Sequence, residues 1–290
     1  MSKVIKELFK IIAFIIIGIA IFEVSLQIKF VADKIQSGII FLLAIIAVII
    51  LYRKFISYIK KYKVIDNKYL HPIPMSWKIK VLIITFGYAI ASSLEVILTS
   101  QTKSCNQNTI EKNEVNLYTS IFEIGITAPI IEEIIFRGVL FVTLLIASSF
   151  LFKRSKKKHD FLGTSTFFVF SSLLFSYMHV AKCTDIEHIG DYLASGIVLT
   201  LVFIMTRDIK LPIIIHMIIN ITSILNRYDY NFISGSIEVI MFVTALIYFI
   251  RIATINKSKT RKSIINYGYY YSYKIDKYLA KRKIKKFHNE

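Results

Sequence analysis

Two adjacent carboxylates and an arginine, Glu132, Glu133 and Arg137, lie within six residues inside an apolar run from Tyr118 to Phe152. Placing one charge at the centre of a bilayer costs at least about 2.5–3.5 kcal/mol. Each of the three therefore needs a partner or a function. On a helix Glu133 and Arg137 are i,i+4 and share a face, so they can pair. Glu132 projects about 100° away and is left over. Three further polar side chains occur in apolar runs downstream: His179 at the end of one, and His216 with Asn220, four residues apart, in another. A carboxylate, imidazoles and a neutral amide are what hydrolysis by activated water needs. One group takes the proton, another holds it, and a neutral donor meets the oxyanion. The plainer alternative is structural, with Glu133 and Arg137 locking helices and each histidine packing at a span end. Glu95, in an earlier run, is read as a structural acid.

These side chains need apolar helices to carry them. The chain has 290 residues, 55% hydrophobic and 19% charged, with a mean hydropathy of +0.58. A soluble globule has about a quarter of its residues charged, so the composition points to an integral membrane protein. Eight spans are expected: about 11–22, 38–52, 81–99, 118–152, 161–180, 192–206, 211–225 and 237–250. Lys3, Lys6 and Lys10 ahead of the first could pass for a signal peptide, but further spans follow and it is read as a transmembrane helix. Pro72 and Pro74 break the stretch between the second and third spans.

Net charge is +18, a balance that usually means nucleic acid or anionic lipid. Here the basic residues cluster between apolar spans, which favours lipid and gives no reason to expect nucleic acid. The stretch 53–80 holds eight Lys or Arg against one acid, and the tail from Arg251 holds twelve against two. With eight spans these segments, the N-terminus, 153–158 and 207–210 all fall on one side. The positive-inside rule then makes both termini cytoplasmic. The expected fold is an all-α, polytopic membrane helical bundle. Its parts are two N-terminal helices with a basic loop (1–79), a core (80–228), a last helix (229–254) and a basic tail (255–290) facing the anionic leaflet.

Three motifs stand in register on three spans: Glu132-Glu133-Ile134-Ile135-Phe136-Arg137 with a following Gly138, Phe175 to His179, and His216 to Asn220. They fit EExxxR, FxxxH and HxxxN in that order. Across about residues 80–228 the chain resembles the CPBP (CAAX protease and bacteriocin-processing, or Abi) intramembrane proteases, related to the type II CAAX prenyl endopeptidase. The resemblance implies an endopeptidase acting on peptide or protein substrates, with bacteriocin leader processing or self-immunity as its setting. It also implies that Glu132 would activate water with His179 assisting, that His216 and Asn220 would hold the oxyanion, and that Glu133 and Arg137 would support the motif helix.

The family is often called metalloprotease, and Glu132, His179 and His216 could supply three ligands to one zinc-like divalent ion. The chain has no HExxH, so metal-free, glutamate-activated water is the preferred expectation and the cofactor stays open, as does the oligomeric state. A proton-coupled transporter is the alternative, although no repeated half or paired Gly/Pro-broken helices point to it. A non-catalytic immunity or binding protein of the same fold is another. Straight helices keep the two histidines apart. His216 lies about 9 Å from the basic end of its span and His179 about 27 Å from the same end of its own. Cys105 and Cys183 fall in external loops, where two free thiols are expected ahead of a disulfide.

Overall fold

The computed structural model describes residues 34–61, 65, 67–99, 105, 108, 116–151, 156–181 and 185–254, together with Ala13. The first expected span and the basic tail beyond 254 therefore lie outside the described residues, apart from Ala13, which is helical. Two units divide the chain, 1–242 and 243–290. The bundle and site lie in the first; of the second, residues 243–254 are described, as helix.

Seven helices follow one another, with no strand among the described residues. Helix α1 is Lys34–Lys61 and α2 is Trp77–Leu98; 71–76, with Pro72 and Pro74, is non-helical between them. Helix α3 runs over 117–151 and carries the acidic motif. Next come α4, Lys156–Val180, α5, Ile189–Thr206, α6, Lys210–Arg227, and α7, Asn231–Thr254. Among the described residues, five unbroken helices are long and apolar enough to cross a bilayer: α1, α2, α4, α5 with its leading turn, and α7. Helices α3 and α6 carry Glu132, Glu133, Arg137, His216 and Asn220. The chain is an all-α, multi-pass membrane bundle. Leu42, Leu43, Val96 and Ile97 point outward, as suits a lipid solvent that rewards apolar surface and demands that backbone groups be paired within each helix.

Helix α3 is not a uniform α-helix. Asn116 caps it by accepting the Thr119 N–H at 3.1 Å. Two π-helical stretches, Ile121–Thr127 and Ile134–Val139, flank the α-helical Ala128–Glu133. Pro129 explains the first of these. It has no N–H to give the carbonyl of Gly125, and its ring crowds that carbonyl, so the turn widens. The wide turns bracket the two glutamates.

Helix α5 is the most interior element, half of its span being buried. It packs on α4 and α2. Gly196 makes the close approach to α4 possible, since a Cβ there would lie 2.8 Å from the Ser172 carbonyl oxygen. Phe141, Phe167 and Phe203 form an edge-to-face trio at 4.8–5.8 Å that ties α3, α4 and α5 together. The tight connection after α5 turns at Arg207, whose left-handed φ of 54° closes the helix with an N–H to the Phe203 carbonyl at 2.7 Å. Asp208 then starts α6 by accepting the Lys210 N–H at 3.3 Å.

One expectation is corrected. Cys105 is disulfide-bonded rather than a free thiol; the other cysteine of the sequence, Cys183, lies outside the described residues. The Cys105 N–H donates to Asp185 at 2.7 Å, and Asp185 stands two residues from Cys183 in the sequence.

Candidate active site

Glu132 and Glu133 share one turn of α3 and have opposite surroundings. Glu133 is fully buried, as is Arg137. Arg137 Nη1 donates to Glu133 Oε1 at 2.9 Å, and its Nη2 reaches the Gly196 carbonyl of α5 at 3.2 Å. That carbonyl also accepts from Thr200 at 2.7 Å and Ser172 at 3.2 Å. The guanidinium lies over the ring of Phe175, 4.6 Å from its centroid. The expected pair on α3 is thus joined to α4 and α5.

His216 reaches the same carboxylate from α6, with Nδ1 3.0 Å from Glu133 Oε1. A carboxylate held by a guanidinium accepts, so Nδ1 carries a proton and, in the neutral ring, Nε2 presents a lone pair. His179 is fixed the same way. Its Nδ1 lies 2.8 Å from the Phe175 carbonyl, which can only accept, so in the neutral ring its Nε2 is also the acceptor. Tyr192 stacks on the His179 ring at 4.5 Å, and Phe175 packs edge-on against His216 at 5.5 Å.

Both Nε2 atoms face Glu132 Oε2, at 3.8 Å from His179 and 3.9 Å from His216. That oxygen is buried and has no hydrogen-bond partner among the described residues; the same holds for Glu133 Oε2 and Arg137 Nε. The separation expected of the two histidines is therefore corrected. Counted from the starts of α4 and α6, His179 sits about 35 Å along and His216 about 9 Å along. Both reach one oxygen all the same, so α4 and α6 are not straight, parallel spans that start level with each other. Asn220, one turn beyond His216, donates its Nδ2 to the carbonyl of Ile124 at 2.8 Å. This carbonyl lies in the first π stretch, where the backbone ladder changes register, and one N–H of the amide remains unspent. Glu95 stands apart, in the field of Asp191 and Glu238.

The arrangement gathers three acceptors, one carboxylate oxygen and two imidazole nitrogens, around a point none of them can fill. At 3.8–3.9 Å neither Nε2 bonds Glu132 Oε2 directly, and a polar gap of this length leaves all three atoms open to a shared third group such as water. The donor types would suit a divalent ion, but the spacing does not. Among the described residues, the His/Cys/Asp/Glu trio whose ligand atoms all lie within 4.8 Å of one another is Asp185, Glu187 and His188, not Glu132, His179 and His216. Three contacts were not foreseeable from motif spacing: the Gly196 carbonyl under Arg137, Tyr192 against His179, and the link from Glu133 to His216. Phe175 was legible only as the first letter of FxxxH, four residues and so one turn before its histidine.

Fold and site together define a multi-pass membrane protein with a carboxylate–histidine centre inside its helices. A family described as type II CAAX prenyl endopeptidase Rce1-like matches residues 114–222. The membrane-embedded CAAX protease MroQ of Staphylococcus aureus (strain USA300) is 32% identical over 100 residues. That match covers 34% of this chain and 36% of the relative, so it spans about a third of each protein. No solved structure matches. Through residues 114–222, which hold all three motifs, the chain is similar to CAAX-type membrane endopeptidases, and its apolar helices make it a multi-pass membrane protein.

Proposed function

We propose that the protein is a membrane endopeptidase in which Glu132 takes a proton from water. The convergence of two imidazole Nε2 acceptors on the unpartnered, buried Oε2 of Glu132 supports this reading. Water held among the three atoms attacks the carbonyl carbon of the scissile bond and its O–H proton passes to Glu132. The carbonyl oxygen takes the electron pair, and the unspent N–H of Asn220 donates to the oxyanion. Collapse breaks the C–N bond, and the proton on Glu132 goes to the departing amine, with His179 as the relay.

His216 has a different part from the one the family resemblance implies. With Nδ1–H on Glu133, its neutral ring has no donor for an oxyanion, so it orients the water. Glu133 holds His216 in that tautomer much as an acid orients the histidine of a serine triad, and Arg137 holds Glu133. No step is routed through a metal, because the three candidate donors are spread wider than a closed site.

The substrate class is a peptide at or within the membrane. The 32% identity to a membrane-embedded CAAX protease favours proteolysis over the transporter and the non-catalytic reading. The leader peptide of a bacteriocin, or a self-immunity role, is the setting proposed for it. The test is incubation of purified protein in lipid nanodiscs with a panel of leader-type peptides and peptides with a C-terminal cysteine motif, followed by mass spectrometry. Cleavage at a defined bond is expected. Intact peptides across the panel, together with proton-coupled uptake in liposomes, would move the protein to the transporters.

A further inference from the structure

A cavity of about 410 Å³ opens at the end of the bundle where the basic segments gather, between α1, α3 and the connection after α5. Four cationic side chains line it: Arg53, Lys60, Arg207 and Lys210. The carboxylate in the lining, Asp208, is already engaged. Its Oδ2 lies 2.7 Å from Lys80 Nζ and its Oδ1 accepts the Lys210 N–H. Asp160, which acts on Arg207 from outside the lining, is paired with Lys68 at 2.8 Å. The cavity therefore carries surplus positive charge.

Arg207 is the group the fold prepares most fully. Its left-handed backbone turns the side chain inward from the end of α5. The guanidinium lies over Phe141 at 4.4 Å and Tyr69 at 5.2 Å from the ring centroids, which fixes its plane. Its Nη1 is buried with no hydrogen-bond partner among the described residues. Burial lowers its pKa to about 10, the mark of a cation that has lost water without gaining an equivalent partner. A guanidinium with a fixed plane and an unspent donor edge suits a tetrahedral oxyanion group.

We propose that this cavity binds a phosphate group at the basic face of the membrane. An anionic phospholipid headgroup and free phosphate are the two carriers of that chemistry. Apolar side chains of Ile56, Val142 and Phe203 share the lining with the cations, as a headgroup continuing into a glycerol backbone requires. The wall also touches the motif helix, since Tyr52 packs where a Cβ on Gly138 would stand, 2.7 Å away.

The test uses the full-length protein in neutral detergent. Its melting temperature and lipid binding by native mass spectrometry are followed with phosphatidylglycerol, phosphatidylcholine and inorganic phosphate. Phosphatidylglycerol should bind in preference to phosphatidylcholine and raise the melting temperature. Arg207→Gln should weaken its binding about tenfold, the worth of one charge-assisted contact, whereas Lys78→Gln, exposed and outside the lining, should not. Because Arg207 also packs on two rings, the double variant R53Q/K210Q, which alters exposed side chains, repeats the test without disturbing that packing. Protection by inorganic phosphate to the same extent would identify free phosphate as the carrier and leave the site standing. Equal binding of the two lipids with phosphate inert, or variants that bind like the wild type, would overturn it.

Discussion

Neighbouring glutamates have different surroundings at this site, and the division of work proposed for them follows from that difference. Glu133 is sealed, paired with Arg137 and bonded to His216. Glu132 keeps 23% of its side chain exposed and has an oxygen with no hydrogen-bond partner among the described residues. Removing Arg137 leaves Glu133 as a buried charge without its counter-ion, which costs about 3–5 kcal/mol, and the Gly196 carbonyl loses one of its donors. Arg137→Ala should therefore lower the melting temperature and yield in detergent, and activity should fall with the folded fraction. A variant that melts like the wild type would show that the pair is not structural. Asn220→Ala should cost about 10²–10³-fold in turnover if its free N–H meets the oxyanion. Melting followed by circular dichroism should change little, because only one bond, to Ile124, is lost. A turnover like the wild type's would remove Asn220 from the mechanism.

At the scale of elements, the site is made by the way α3, α4, α5 and α6 approach one another. The i,i+4 spacings of Glu133 with Arg137, Phe175 with His179 and His216 with Asn220 were legible because a helix fixes which side chains share a face. The π turns of α3 were not, as a widened turn depends on what Pro129 and the packed neighbours force on the ladder. The tilts and relative heights of the helices were not legible either. Apolar runs give lengths without tilts, which is why straight spans separate His179 and His216 while the folded bundle brings both to Glu132. Gly196 controls one such approach. Gly196→Ala puts a methyl 2.8 Å from the Ser172 oxygen and should cost about 1–3 kcal/mol by overpacking, read as a lower midpoint of denaturant unfolding. An unchanged midpoint would mean that α4 and α5 can separate freely.

For the whole molecule, charge distribution decides how the bundle sits in its membrane. The basic segments 53–80, 153–158 and 207–210 fall on one side of an eight-span arrangement, with both termini cytoplasmic, and this orientation is our proposal. Reporter fusions after Lys158 and after Glu290 should read cytoplasmic, and fusions near Asn108 and Asp185 external. An external C-terminus would contradict the eight-span arrangement. Composition and run lengths made the membrane class legible, because no soluble core accommodates so many apolar residues with so few charges. The disulfide at Cys105 was not legible, since pairing depends on loops meeting in space, as Cys105 and Asp185 do.

The central claim, that Glu132 is the proton acceptor, is tested most directly by measuring peptide cleavage and melting temperature together on one preparation of Glu132→Gln. The substitution keeps the shape of the side chain and removes its basicity. The predicted result is a melting temperature within a degree or two of the wild type and cleavage reduced by about 10²–10⁴-fold. A well-folded Glu132→Gln that cleaves at close to the wild-type rate would contradict the assignment and reduce the motif to scaffold.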